Sequence, residues 1–329
     1  MTSPPFRYGR PTDVAGALAL GRRADAAYLA GGTDLLQLWK TAIASPAEVV
    51  DISRLPLSRI DVSPDQLVIG ATARLSDVAA DAGVARDHPL IFQAILASAS
   101  GQLRDMATVG GNLLQRTRCP DFRDEALPCN KRAPGSGCGA LHGETRQAAL
   151  FGASGSCVAT HPSDLAVALV ALDARVEIAG EGGARIIDIA DLHRLPGDTP
   201  DRDTTLPPGD LITAVRVEGG SRFAARSHYL KVRDRASFEF AIVSVAAGLR
   251  VQDGVVVEAR LVAGGVAPKP WRLVASEAAL VGRPATSETF ATAAALAGEG
   301  ARPVGENGFK VGLLCNAVRR ALEATEPKL

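Results

Sequence analysis

"LAGGTDL" (residues 29–35) and "ATVGGNL" (residues 107–113) share one form: apolar residues, two adjacent glycines, then a short polar side chain. Glycine has no Cβ, so such a pair lets the backbone take left-handed angles and approach a ligand closely. Successive N–H groups of the turn can then converge on phosphate oxygens, helped by a helix amino terminus. Thr33, Asp34, Thr108 and Asn112 are placed to add side-chain hydrogen bonds to a pyrophosphate or ribityl chain. Taken singly, each loop also reads as an ordinary tight turn. Neither is GxGxxG or a P-loop, so the nucleotide signatures of the common α/β folds are absent.

Around the first loop, "DVAGALALGRRA" has helical apolar spacing with Asp13 as cap, and "AAYLAGG" reads as a short strand. "TDLLQLWKTAI" is an amphipathic helix capped by Thr33 or Asp34, and "AEVVDIS" a second strand. This β–turn–α–β unit predicts a small, mostly parallel subdomain. Further on, "QLVIGATARLSDVAA" reads as strand then helix, and "HPLIFQAILASASGQLRDM" as one long helix. "DLAVALVALDARVEIAG" ends as a strand, and "DLHRLPGDTPDRDTTLPPGD" is an irregular surface connection. From about residue 223 the chain reads as consecutive strands with "QDG" as a hairpin turn, closed by alanine-rich helices. Cys315 falls on the apolar face of the last helix and reads as a buried small hydrophobe.

Composition narrows the function. The 329 residues are 47% hydrophobic and 22% charged, enough for two or three domains with real cores. Lysine plus arginine equals aspartate plus glutamate at 36 each, so no net field recruits nucleic acid or an anionic membrane. Aromatics, at 4%, are too scarce for base-stacking platforms. No apolar run approaches a membrane span, and the amino end lacks a basic segment leading into an apolar one. A reducing cytoplasm is therefore the expectation, with export to the periplasm only alongside a signal-bearing partner.

Four of the five cysteines, Cys119, Cys129, Cys138 and Cys157, fall in one window with spacing C-x9-C-x8-C-x18-C. Structural zinc usually uses at least one closely spaced pair, which this window lacks. Two disulfides need an oxidising compartment. A [4Fe–4S] cluster needs four converging thiolates, and "APGSGC" and "GASGSC" let the backbone wrap around a bulky group. Arg118, Lys131 and Arg132 would offset its negative charge. Spacing alone leaves cluster, disulfides or free thiols, and zinc all open.

"AGGTDL", "ATVGGNLLQRTRCP", "HPSDLAVALVALDA", "HRLPGDTP", "YLKVRDRASFEFAIVSVAA" and "GGVAPKPWR" together resemble the FAD-binding subunit of the xanthine dehydrogenase and aldehyde oxidoreductase (molybdenum hydroxylase) family. The resemblance runs along nearly the whole chain. It implies an α+β fold: a two-subdomain FAD-binding domain of the vanillyl-alcohol-oxidase (PCMH) type, then a carbon monoxide dehydrogenase flavoprotein C-terminal-like α/β domain. The subdomains would span residues 1–54 and 55–218, and the last domain 223–326. By the same resemblance Ala30, Gly31, Gly32, Thr33, Asp34, Leu35 and Leu36, with Thr108, Val109, Gly110, Gly111 and Asn112, would hold the FAD diphosphate and ribityl chain. Asp164 matches an acidic flavin contact, Lys231 a lysine reaching the flavin from the last domain, and Leu211 or Ile212 an apolar residue near the ring.

Many members of that family run directly from the "TVGGN" loop to the "SDL" segment, whereas here residues 116–161 intervene. "LLQRTRCP…CNKR.PGSGC…GASG.C.ATHPSDL" resembles the subfamily of heterotrimeric molybdenum-dependent aldehyde oxidoreductases whose flavin subunit carries a [4Fe–4S] cluster. That would make Cys119, Cys129, Cys138 and Cys157 its ligands. Asp121 stands where an aromatic is expected, and "ETRQAALFG" lacks an expected histidine; neither departure removes a cysteine. His161, beside Pro162, is expected to shape the flavin loop.

No nucleophile–base pair or paired catalytic carboxylates stand out, so the chemistry is expected to belong to the cofactor. The resemblance implies an electron-transfer subunit. A large molybdenum-cofactor subunit would oxidise an aldehyde, and a small [2Fe–2S] subunit would pass electrons to FAD here and on to an external acceptor. Two other readings stand beside it. One is the flavin subunit of a xanthine, carbon monoxide or hydroxybenzoyl-CoA type hydroxylase. The other is a non-enzymatic, zinc-stapled assembly subunit.

Overall fold

The computed structural model describes residues 5–63, 65–219 and 221–326. Residues 1–4 of the first expected subdomain and Pro64 of the second lie outside that range.

Three sheets follow one another along the chain. The first has three parallel strands, β1 (Arg7–Gly9), β2 (Ala26–Leu29) and β3 (Glu48–Asp51), in the order β1-β3-β2. Asp13 caps the helix Val14–Gly21 as expected, its carboxylate accepting the Gly16 N–H at 2.7 Å. The edge strand β1 adds to the expected unit; three residues are too few for a periodic signal.

The second sheet holds β4 (Ile60–Val62), β5 (Gln66–Gly70), β6 (Arg175–Gly180), β7 (Gly183–Asp188) and β8 (Leu211–Glu218), all antiparallel, in the order β4-β5-β8-β6-β7. Its core is closed by the helices Pro89–Ala97 and Asp164–Ala171, the second of which is buried at every residue. The expected long helix over residues 88–106 is instead two, Pro89–Ala97 and Gly101–Arg104. Ala99 takes φ +46, Ser98 bonds back to the Ile95 carbonyl at 2.7 Å, and Ser100 caps the second helix. Serines offer the backbone such alternatives to helix, which apolar spacing does not register.

The third sheet is the antiparallel set β9 (Ser227–Val232), β10 (Val243–Gln252), β11 (Val255–Gly264) and β12 (Trp271–Arg272). Asp253 and Gly254 turn the β10–β11 hairpin at φ +49 and +76, matching the "QDG" reading. The helices Val274–Leu280, Ser287–Ala295 and Phe309–Glu323 cover this sheet. Cys315 packs against that core but is half-buried, less enclosed than its apolar spacing implied.

Residues 116–161, between the second diglycine loop and the helix Asp164–Ala171, carry little regular structure. They are held by other means. Leu150 and Phe151 both donate to the Val266 carbonyl, at 2.7 and 3.1 Å. The wholly buried Lys310 donates to the Ala148 and Gly265 carbonyls at 3.0 and 2.6 Å, and burial, with Arg146 adding, pushes its ammonium down to about 8.

Candidate functional site

The chain leaves β2 at Leu29 and turns at Gly32, with φ +70, into the helix Leu35–Lys40. Among the described residues the N–H groups of Gly31, Gly32, Thr33 and Asp34, and the Thr33 hydroxyl, make no hydrogen bond. Gly31 lies against the second loop so closely that a Cβ there would stand 1.8 Å from the Met106 carbonyl oxygen. Only glycine fits that backbone-to-backbone contact. In the second loop Thr108 caps the helix Val109–Leu113, accepting the Gly111 N–H at 3.3 Å, while Asn112 Oδ1 accepts from the Ser163 hydroxyl at 2.6 Å.

The two loops line one cavity of about 330 Å³ together with Tyr28, Asp210, Leu211 and Ile212. Of the diglycine residues, Val109 is fully buried beneath the second loop with its N–H on Ala73, and Leu36 points outward, 43% exposed; neither lines it. Asp164 and Lys231 line a second cavity of about 310 Å³, which shares Thr33, Ala107, Asn112, Gln115 and Arg118 with the first. Leu211 and Ile212 therefore sit with the glycine turns and away from Asp164 and Lys231.

Asp164 and Lys231 face each other. Lys231 Nζ lies 2.8 Å from Asp164 Oδ2, with side chains only 3% and 5% exposed, and Nζ also donates to the Ala97 carbonyl at 3.2 Å. Tyr229 donates to Asp164 Oδ1 at 2.7 Å. Burial, then the Asp164 charge, holds the Tyr229 hydroxyl far above its usual range, so it stays a donor. Ser163, rather than Asp164, caps the helix, accepting the Ala166 N–H at 3.0 Å.

Asp34 has a different set of partners from those its sequence position implied. Its carboxylate does not cap the helix that follows. It accepts the Arg116 N–H at 2.8 Å, pairs with Arg118, and takes a hydrogen bond from Arg123 at 2.9 Å. Burial pushes its pKa up, but Arg118, the Arg116 N–H and Arg123 outweigh that and hold it below the usual carboxylate range.

The cysteines of the intervening segment gather. An isolated antiparallel bridge sets Cys129 beside Cys138, which supplies the close pair that linear spacing lacks. Cys157 is within electrostatic reach of Cys119, Cys129 and Cys138. Burial raises the Cys119 thiol to about 11, opposed by hydrogen bonds from the Phe122 and Asp121 N–H groups to the sulfur. Burial likewise raises Cys157, opposed by the Lys131 charge and the Ala159 N–H. All five cysteines are free, and among the described residues no three His, Cys, Asp or Glu side chains close around a single metal ion. Of the expected counter-charges, Lys131 faces Cys157 but is paired with Asp203. Arg118 is committed to Asp34, and Arg132 to the Asp121 and Phe122 carbonyls at 2.7 and 2.9 Å.

His161 and His193 pack with ring centres 4.1 Å apart and planes tilted by 53°, and the Nε2 of each points at the Leu113 carbonyl, at 3.4 and 2.8 Å. Burial lowers both pKa values, that of His161 further because His193 is beside it. This joint clasp on the second diglycine helix brings together residues 32 apart in sequence, a pairing no local motif signals. Unfolded imidazoles take up protons near pH 6.5, the folded pair only at lower pH, so below about 6.5 the folded state binds fewer protons and loses stability. The melting temperature is expected to fall between pH 7 and pH 5, with a limiting slope of about 1.4 kcal/mol per pH unit for each histidine. The double variant His161→Gln/His193→Gln should reduce that slope, with buried His88, whose pKa burial also lowers, supplying the remainder.

The site is thus a cavity walled by two glycine turns, the first with unpaired N–H groups, adjoining a second cavity under a buried ion pair. The chain belongs to the family of FAD-binding subunits of molybdopterin-dependent dehydrogenases. Residues 4–217 match the FAD binding domain in molybdopterin dehydrogenase, and residues 228–325 the CO dehydrogenase flavoprotein C-terminal domain. It is 48% identical to the aldehyde oxidoreductase FAD-binding subunit PaoB of Escherichia coli, over 93% of each chain. It is 26% identical to the carbon monoxide dehydrogenase medium chain of Afipia carboxidovorans, over 98% of this chain and 97% of that one. In structure it resembles a chain of carbon monoxide dehydrogenase from Hydrogenophaga pseudoflava with a TM-score of 0.76 at 27% identity, covering 99% of this chain and 98% of the other. These relatives are oxidoreductase subunits. No helix among the described residues is long and apolar enough to cross a membrane.

Proposed function

We propose that this chain is the FAD- and [4Fe–4S]-binding electron-transfer subunit of a molybdenum-dependent aldehyde oxidoreductase, working between a [2Fe–2S] partner and an external acceptor. The carrying observation is the convergence of residues 31–34 with Thr108 and residues 110–112 on one cavity, with four N–H groups of the first loop left for an anion. The free N–H groups of Gly31, Gly32, Thr33 and Asp34, with the Thr33 hydroxyl, hold the diphosphate, beside the turn of Gly110 and Gly111. Leu211 and Ile212 pack against the nucleotide half. FAD, when bound, supplies a centre that takes up two electrons and releases them singly or in pairs. Asp164 and Lys231 orient its ring in the second cavity, their charges balancing each other. Three sheets in sequence support the division into subdomains 1–54 and 55–218 and a last domain 223–326.

Cys119, Cys129, Cys138 and Cys157 hold the cluster in this reading. N–H groups aimed at the Cys119 and Cys157 sulfurs are the contacts that stabilise thiolate ligands and tune such centres. A zinc ion fits less well, because no three ligands close to single-ion spacing among the described residues. Identity to an aldehyde oxidoreductase subunit across 93% of the chain favours an aldehyde complex over the xanthine or carbon monoxide types. The test is to purify the full chain anaerobically, alone and with co-expressed partners, and to assay FAD, iron, zinc and acid-labile sulfide. About four iron and four sulfide per FAD are expected. Serine at Cys119, Cys129, Cys138 or Cys157 should bleach the broad cluster absorbance. FAD with zinc and no sulfide would overturn the cluster assignment.

A further inference from the structure

The arginines on Asp34 come from the cysteine-bearing segment, on either side of its first cysteine. Arg118 precedes Cys119 directly, and Arg123 ends the short helix Pro120–Arg123 that Cys119 opens. Both guanidiniums are about four-fifths buried. Arg123 is fixed further by donating to the Thr117 and Arg116 carbonyls at 2.9 and 3.2 Å. Arg118 lies over the Phe240 ring at 4.8 Å and bonds Gln115 at 3.2 Å. A second, apolar contact runs beside the first: Leu38, on the helix that Asp34 opens, packs in one cluster with Phe122 and Cys129.

The charges explain why this matters for an anion. Asp34 alone would set a carboxylate beside the N–H groups of residues 31–34, against any phosphate they bind. With one carboxylate and two guanidiniums the group carries −1 + 2 = +1. The same contacts fix the Asp34 side chain, and through it the first turn of the loop. If they were lost, a phosphate on the four free N–H groups would meet an uncompensated carboxylate on a looser backbone.

We propose that Arg118 and Arg123 are positioning residues that couple FAD binding at the first diglycine loop to the order of the cysteine-bearing segment, through the Asp34 carboxylate. The coupling rests on the FAD reading given above. Because coupling between binding and order is reciprocal, each side stabilises the other. FAD should tighten residues 116–123, which it reaches through Asp34, and disorder of the segment should weaken FAD.

The test uses the full chain, depleted of flavin, with FAD titrated by fluorescence quenching and amide hydrogen exchange followed with and without FAD. In the wild type FAD should slow exchange of residues 116–123 about tenfold. The double variant Arg118→Gln/Arg123→Gln should bind FAD about 10–100-fold more weakly. With saturating FAD it should keep the protection of residues 107–114 and lose that of residues 116–123. A purely structural role for the arginines would raise exchange at residues 116–123 but leave FAD affinity unchanged. If the double variant fails to fold, Asp34→Asn, which removes the shared charge at constant size, should show the same loss of transmitted protection. Affinity within twofold of wild type, or protection of residues 116–123 that survives the substitutions, overturns the coupling. A wild-type chain that binds no FAD overturns the FAD reading instead.

Discussion

Gly31→Ala is expected to abolish measurable FAD retention, with affinity lowered by at least about 100-fold, or ~2.7 kcal/mol. The added Cβ would stand 1.8 Å from the Met106 carbonyl oxygen and 2.7 Å from its carbon, both backbone atoms with no rotamer to yield. The two diglycine loops would have to separate, taking the N–H groups of residues 31–34 away from the turn at Gly110 and Gly111. Gly110→Ala should be milder, since its nearest neighbours, the Ala71 Cβ and carbonyl oxygen, are 3.1 and 3.2 Å away. Flavin content after gel filtration reads the difference directly. Full retention by Gly31→Ala would mean that the loops do not jointly hold the cofactor.

Lys231→Met is expected to be the most destabilising single change at the site, by about 3–5 kcal/mol. It leaves the Asp164 carboxylate 5% exposed with only the Tyr229 hydroxyl as partner. The cost comes from an uncompensated buried charge, so Asp164→Asn in the same chain should restore part of it, the amide still accepting from Tyr229. Urea unfolding of the flavin-free chain reads both changes without reference to FAD. A single variant as stable as the wild type would show that water or a movement of β9 relieves the pair.

Much of the fold was legible because its signals are local. Asp13 caps its helix, "QDG" turns its hairpin, and each diglycine loop announces a close approach by lacking two Cβ atoms. The break at Ala99 was hidden because serines bend a helix without disturbing apolar spacing. At the site, Asp164 and Lys231 stood out individually by resemblance, but their direct pairing across 67 residues has no sequence signature. Asp34 read as a cap or phosphate ligand for its position; its partners Arg118, read as a counter-charge for the cysteines, and Arg123 lie more than 80 residues away, and no local pattern ties either to Asp34. The Cys129–Cys138 bridge shows the same limit. Close pairing made by a loop folding back leaves a long spacing in the sequence.

The most direct measurement is the equilibrium affinity of the flavin-depleted full chain for FAD and for FMN, which carries the same ring but lacks the adenylate half of the diphosphate. If residues 31–34 hold the diphosphate, FAD should bind one per chain and at least about 100-fold more tightly than FMN, a difference of ~2.7 kcal/mol. Equal affinity for the two flavins, or binding of neither, would contradict the assignment of the diglycine loops.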